Sequence, residues 1–354
     1  LSSLVYVHRL LVLMALMRTS DDQSAWQTAC KPRMTTTITL AIIVVSFTLQ
    51  ILALSLLWHA GVGPSPELIE TEVLVNPDSS QQDICLGMAS GISLQDLVVF
   101  VKSFREATND ARLVLFMGIA APEEHKRFLN EHDVETVLVN FDTMFPTQIR
   151  KFHPSNYRWV LLRNFVSAAK LNPMSRVLLV DVRDTVFQSD PFEIISPDED
   201  GLWVSLEAGG PIISCDWNRG WVQDCFGDDI LRAVSMKTIS CSGVTLGRAG
   251  AILDYMNRMS AALIGRAQCE RNGVDQGVHN VIVWTQKIPN LHIIRIEDGK
   301  IAHIQAMSVS DAPIRNNVVF SAKTQPEPVP YAIVHQYDRR KDLTELFRQK
   351  YKLN

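Results

Sequence analysis

Several common signatures are missing from these 354 residues. There is no Cys-x-x-Cys pair, which excludes a zinc ribbon. There is no Gly-x-Ser-x-Gly, no Gly-x-x-x-x-Gly-Lys-Ser/Thr and no Gly-x-Gly-x-x-Gly after a strand. Serine-hydrolase, P-loop and dinucleotide-binding readings fail for that reason. No basic stripe with interleaved aromatics is present, and the formal net charge is −4. Nucleic-acid binding needs clustered positive charge, so no nucleic-acid partner is expected. Asn-x-Ser/Thr acceptors and internal repeats are also absent. Only 20% of residues are charged while 47% are hydrophobic, a balance that excludes wholesale disorder and supports a packed core.

Charge itself is missing from one stretch, Met34 to Pro66. Its middle, Ile38–Trp58, is long enough to cross a bilayer as a helix. Lys31 and Arg33 precede it, with Arg9 and Arg18 further back, and Glu67, Glu70 and Glu72 follow. The positive-inside rule then keeps the N-terminus in the cytosol and sends the bulk of the chain across the membrane. The expected organisation is a cytosolic tail or gene-model extension at 1–33 and a transmembrane signal anchor at 34–60. A Pro- and Ser-containing stem or linker follows at 61–82, and then a luminal domain at 83–354. A cleaved signal peptide starting at Met34 is the alternative. Five of the six cysteines, Cys85, Cys215, Cys225, Cys241 and Cys269, then fall on the luminal side, and only Cys30 does not. One or two disulfides are expected there, with Cys215 and Cys225 close enough in sequence to bridge a loop.

From Asp83 the pattern becomes regular. Apolar runs at ICLGM (84–88), RLVLFMG (112–118), ETVLVNF (135–141) and Val177–Val180 read as buried strands. Between them lie helical patterns: Ser93 to Arg105, Pro122 to Asn130 and Tyr157 to Lys170. This βαβ spacing predicts an α/β fold with a mainly parallel sheet flanked by helices. Further strands are expected at Gly201–Leu206, Gly243–Leu246 and Ala332–Val334.

In open α/β sheets, ligands sit at the carboxyl ends of the strands, and there the stretch VLLVDVRDTVF (177–187) places Asp181 and Asp184. Two acids beside an apolar wall are costly unless neutralised. A divalent cation, magnesium or manganese, does this while also taking phosphate oxygens from a nucleotide diphosphate. Arg183 either adds positive charge or pairs with Asp184, and a solvated Asp–Arg–Asp salt-bridge cluster is the bland alternative. CSGVTLG (241–247) reads as a small-residue turn before a short strand, where backbone approaches a ligand closely. Asp275 and Gln276, at the start of an apolar helix, either grip hydroxyls or serve the helix terminus. His335, just after an apolar strand, is a candidate third metal ligand.

The order of VLLVDVRDTVFQSDPF, SCSGVTLG, GVDQGVHN and VHQYD resembles that of nucleotide-diphospho-sugar transferases of the GT-A fold, in particular the Golgi type II membrane glycosyltransferases. The matching stretches lie between Val177 and Asp338. The resemblance implies that Asp181 and Asp184 hold the metal and the nucleotide and that His335 completes the metal shell. It implies a nucleotide pocket near Ala89, Ser90 and Gly91, with Arg183 on the nucleotide side and Asp275 and Gln276 facing the donor sugar or acceptor. Glu207 is the remaining carboxylate assigned to catalysis or to the donor sugar. The implied donor is a nucleotide-diphosphate sugar, and the implied acceptor a glycan, glycoprotein or glycolipid hydroxyl. Where the family usually carries Asp-x-Asp, this chain reads Asp181-Val182-Arg183-Asp184.

Two rival readings accompany this one. A haloacid-dehalogenase-type phosphatase also ends a strand on Asp and places Thr four residues on, as Thr185 stands here. It needs a general acid two residues after the first Asp, where Arg183 stands. The other rival is a membrane-anchored scaffold built on an inactivated transferase domain, argued from the unusual acidic spacing.

Overall fold

A computed structural model describes residues 83–353 apart from 109, 197, 267 and 325. The expected tail, membrane anchor and stem lie outside the described residues. Among the described residues, no helix is long and apolar enough to cross a membrane.

The chain begins β1 (Ile84–Met88), α1 (Leu94–Ala107), β2 (Arg112–Gly118), α2 (Glu123–Glu131), β3 (Glu135–Val139), α3 (Pro154–Ala169), β4 (Arg176–Asp181) and β5 (Thr185–Phe187). It continues β6 (Leu202–Pro211), α4 (Asp216–Phe226), α5 (Asp228–Val234), β7 (Thr238–Arg248), α6 (Ala249–Ile264), α7 (Val274–Thr285), β8 (Leu291–Ile294) and β9 (Ile301–His303). A short ribbon of β10 (Ile314–Arg315), β11 (Val318–Ser321) and β12 (Val329–Pro330) precedes β13 (Ile333–His335) and α8 (Lys341–Lys350).

Seven strands form one sheet in the order β3-β2-β1-β4-β7-β6-β8. Only β7 runs against the others, so the sheet is mainly parallel, as the βαβ spacing predicts. Strand residues alternate between two apolar layers because the side-chain period is two. Cys85, Leu113, Leu115, Leu178 and Val180 face the layer containing α1 and α2. Ile84, Leu86, Val114, Phe116, Val177 and Leu179 face the layer containing α3, α6 and α7. Burial on both faces is why these strands read as unbroken apolar runs.

A second sheet, β5-β13-β9, is set across the carboxyl end of β4. Phe187 anchors it, making edge-on contacts with Phe100 and Phe104 of α1 at 5.4 and 5.1 Å. Its register places His335 opposite Thr185 on one side and His303 on the other.

Several elements differ from expectation. Helix α3 starts one turn early, with Pro154 in its first turn and the His153 side chain accepting from the Ser155 amide. Strand β6 runs to Pro211, so Glu207 lies inside a strand rather than after one. His335 is likewise the last residue of β13, not the one beyond it. CSGVTLG is part of the long strand β7 with no turn. The disulfide joins Cys225 to Cys269, leaving Cys215 free, because α4 and the segment before α7 bring those two cysteines together. Sequence proximity favoured Cys215, but Cys215 immediately precedes α4 while Cys225 closes it, so the helix holds them apart.

Candidate active site

Asp181 ends β4, and three residues later Asp184 returns to the same place. The intervening turn explains the unusual spacing. Val182 is buried, wedged against Gly87 of β1, where any side chain would collide with it. Arg183 turns outward, with Nη2 donating to Asp184 Oδ2 at 3.2 Å and lying 3.8 Å from Asp338. Asp184 turns inward. The Asp190-Pro191-Phe192 that follows is structural: Asp190 Oδ1 accepts from the Phe192 amide at 2.8 Å, and the Phe192 ring is buried.

His335 Nε2 lies 3.6 Å from Asp181 Oδ2 and 3.6 Å from Asp184 Oδ1. One ligand atom from each of the three residues fits within 4.8 Å of the others. Nε2 is buried and has no hydrogen-bond partner, although buried polar atoms nearly always have one. Asp184 is almost wholly buried, whereas the Asp181 side chain is 33% exposed, so Asp181 marks the entrance. Gly243 makes room for the group. A Cβ there would fall 2.7 Å from His335 Nε2 and 2.9 Å from Asp181 Oδ2. That close approach is between side chains and a strand, where the sequence suggested backbone against ligand. Between Val204 and Ser205, β6 advances one residue while β7 passes from Thr245 to Cys241, a bulge that contains Gly243.

The electrostatics are sharply divided. Burial pushes the Asp181 carboxyl up, but Arg158 and His335 outweigh it and hold it well below the usual range. Asp184 is raised by burial and by the neighbouring Asp181 charge. Burial lowers His335, and the facing carboxylates more than reverse this. Arg158, the fifth residue of α3, is the fixed cation. Its Nη1 donates to Asp181, and its Nη2 donates to Asp275 Oδ2 at 2.9 Å. Trp159 Nε1 also donates to Asp275, at 3.3 Å.

Asp275 is therefore buried in an ion pair. It is the second residue of α7, behind Gly273, so it is not the helix cap. Gln276 is turned elsewhere, donating to Glu207 Oε1 at 3.2 Å and to Asn218 Oδ1 at 3.1 Å. Burial raises the Glu207 carboxyl. Ala89, Ser90 and Gly91 follow β1, whose Met88 pairs with Asp181, so they lie one strand away at the same edge. The structure thus groups Asp181, Asp184 and His335 tightly, with Arg183 at the rim. Gln276 and Glu207 form a neighbouring polar group, and Asp275 is tied to Asp181 through Arg158.

Four participants escaped sequence reading: Arg158, Asn218, His303 and the thiol of Cys241. Arg158 announces itself as a cation between Tyr157 and Trp159 in a helix of apolar character. His303 was signalled by the pair IAH (301–303) and IVH (333–335), two short strands each ending on histidine. Its Nδ1 is 3.0 Å from His335 Nδ1, and its Nε2 is 2.7 Å from Ser205 Oγ. With His335 neutral and its Nδ1–H donating to His303 Nδ1, the lone pair on His335 Nε2 faces the carboxylates.

No family model and no curated protein matches the chain. Two among the many solved structures that align with it are as follows. One is an active-site mutant of LgtC, with 11% identity and TM-score 0.45, over 74% of this chain and 94% of that one. The other is the apo structure of WbbM, described as a bifunctional glycosyltransferase, with 11% identity and TM-score 0.41. That alignment covers 64% of this chain and 40% of WbbM.

Proposed function

We propose that this chain is a glycosyltransferase that moves a sugar from a nucleotide-diphosphate donor to an acceptor hydroxyl with the help of a divalent cation. The observation that carries the proposal is Nε2 of His335, buried, without a hydrogen bond at normal length, and aimed between Asp181 and Asp184 at the carboxyl edge of a mainly parallel sheet. Two carboxylate oxygens and one imidazole nitrogen make a donor set suited to manganese and, less well, to magnesium. When bound, the cation would supply charge stabilisation for the departing diphosphate.

The protein residues do the rest. Arg158 holds Asp181 ionised and oriented, and His303 fixes the His335 tautomer. Arg183 and Arg339, which lies 4.0 Å from Asp184, carry positive charge at the rim, where phosphate would arrive. Ala89, Ser90 and Gly91 line the neighbouring strand end on the nucleotide side. Gln276, Glu207 and Asn218 offer donors and acceptors to sugar hydroxyls, with Asp275 held behind them. Motif order supports the sugar-nucleotide assignment, and the charge-free segment at 34–60 supports a Golgi membrane protein with its catalytic domain in the lumen, acting on glycan, glycoprotein or glycolipid acceptors.

The test is a melting-temperature titration with nucleoside diphosphates, with and without manganese. A ligand at a hundred times its Kd adds about 2.7 kcal/mol to the folded state. A manganese-dependent shift with at least one nucleotide is expected, and Asp184→Ala should remove it while leaving the unliganded transition in place. An unchanged shift in the variant would refute the cation assignment. No shift with any nucleotide would favour the inactivated-scaffold reading.

A further inference from the structure

The imidazole of His335 faces two donor sets, one at each ring nitrogen. Nε2 points to Asp181 and Asp184. Nδ1 lies 3.5 Å from Cys241 Sγ and 3.0 Å from His303 Nδ1. Cys241, His303 and His335 are all buried, and one ligand atom from each lies within 4.8 Å of the others. The Cys241 thiol is also within hydrogen-bond reach of the buried Glu207 carboxylate. Ser205 Oγ, 2.7 Å from the other nitrogen of His303, orients that ring.

From this arrangement we infer a second metal site, made of Cys241, His303 and His335 Nδ1 with Glu207 beside the thiol, that takes a thiophilic cation such as zinc and antagonises the divalent-cation site at Asp181 and Asp184. Zinc bonds of about 2.0–2.1 Å to nitrogen and about 2.3 Å to sulfur place tetrahedral ligands about 3.3 Å apart for nitrogen pairs and about 3.6 Å apart for nitrogen and sulfur. The observed 3.0 and 3.5 Å need only small side-chain adjustments to reach that geometry. The donor chemistry separates the two sites: thiolate and imidazole select zinc, whereas carboxylates suit manganese and magnesium. Binding converts the thiol to a thiolate, with its proton released to solvent. The thiolate ligand and the neighbouring Glu207 carboxylate then offset the dication, which makes the buried charge bearable.

The antagonism follows from the imidazole itself. A neutral imidazole has one N–H and one lone pair, so it ligates at a single nitrogen. When Nδ1 takes zinc, Nε2 carries the proton and points it at Asp181 and Asp184, removing the nitrogen ligand that the other cation needs. The antagonism rests on the cation assignment in the proposed function. The thiol-containing site does not.

The experiment uses the purified full chain freed of metal, with cobalt as a spectroscopic stand-in for zinc. One equivalent of Co²⁺ should produce near-ultraviolet thiolate charge-transfer absorbance together with tetrahedral visible bands. Cys241→Ser should abolish the charge transfer, Cys215→Ser should keep it, and His303→Asn should weaken cobalt affinity about 10–100-fold or more. Excess Mn²⁺ should bleach the band, and one equivalent of Zn²⁺ should raise the apparent Mn²⁺ Kd, read from the resonance of free Mn²⁺, by at least about tenfold. Absence of the band, or its survival in Cys241→Ser, would overturn the site. A band indifferent to saturating Mn²⁺ would overturn the antagonism. If Mn²⁺ fails to bind even before cobalt is added, the cation assignment and the antagonism both fall, while the cobalt band still decides the thiol site.

Discussion

Arg158 is the residue whose removal says most about this site. It is buried, always charged, and shared between Asp181 and Asp275, with its guanidinium 5.0 Å from the Trp159 ring. Arg158→Met keeps much of the volume and strands two carboxylates. Removing one partner of a buried ion pair costs roughly 3–5 kcal/mol, because an uncompensated charge remains. For a domain of this size, that corresponds to a fall in Tm of about 6–20 °C. Asp275 is nearly fully buried and bears most of the penalty, whereas Asp181 retains some water. Arg158→Met/Asp275→Asn should therefore recover a good part of the loss. Manganese sharpens the test. With Arg158 gone, Asp181 no longer divides its charge between guanidinium and cation. Saturating Mn²⁺ should then restore about 1–3 kcal/mol more stability to the variant than it adds to the native protein, a coupling typical of groups in contact. Urea unfolding with and without Mn²⁺ measures both quantities. A loss below about 1 kcal/mol would show that the carboxylates do not depend on Arg158 for neutralisation. A full loss with no extra manganese effect would make Asp181 a structural ion-pair partner and refute its role as a ligand.

Gly243→Ala should lower Mn²⁺ affinity at least tenfold in calorimetric titration, since the new methyl meets His335 Nε2 and Asp181 Oδ2, with an overpacking cost of about 1–3 kcal/mol; unchanged affinity would mean that β7 yields freely. His279, buried between Tyr255 and Ser240, is driven down to about 3 by burial and by Arg158. The unfolded chain binds a proton below about pH 6.5 that the native one refuses, so stability falls with pH by about 2 kcal/mol from this residue between pH 7 and 5. His279→Gln should lack that increment in parallel urea melts, and an identical pH slope would remove His279 from the account. Cys225→Ser opens a disulfide spanning 44 residues and should cost about 4 kcal/mol in the chain-entropy treatment, read as the midpoint difference between native and variant under oxidising conditions.

The parallel half of the fold was legible because each strand there is buried on both faces and each crossover helix carries its own start signal and periodicity, Ser93 before α1, Pro122 before α2 and Pro154 at the start of α3. The second half was harder. Strand β6 hides its length behind Glu207, Ala208, Gly209 and Gly210, residues with poor strand character that continue the ladder to Pro211 because β7 pairs alongside. CSGVTLG looked like a turn for its small residues, but those residues mark a bulge and leave space for two side chains. Asp181, Asp184 and His335 were selected by type and by position at strand ends. Arg158 and His303 were not, because their local signals, a cation between two aromatics and a histidine ending a short strand, do not say which distant side chain each will meet.

The sequence by itself determined the alternation of strands and helices in the parallel half and the sheet edge at which Asp181 emerges. Those properties follow from local periodicity and from the cost of burying charge. Tertiary structure alone decided which distant residues complete the group. The β5–β13 pairing carries His335 to Asp184 across more than a hundred residues, β9 adds His303, α3 brings Arg158 between two carboxylates, and α4 positions Cys225 for Cys269. Such meetings depend on non-local pairing and packing, whose register is set only when the two apolar layers close on the sheet.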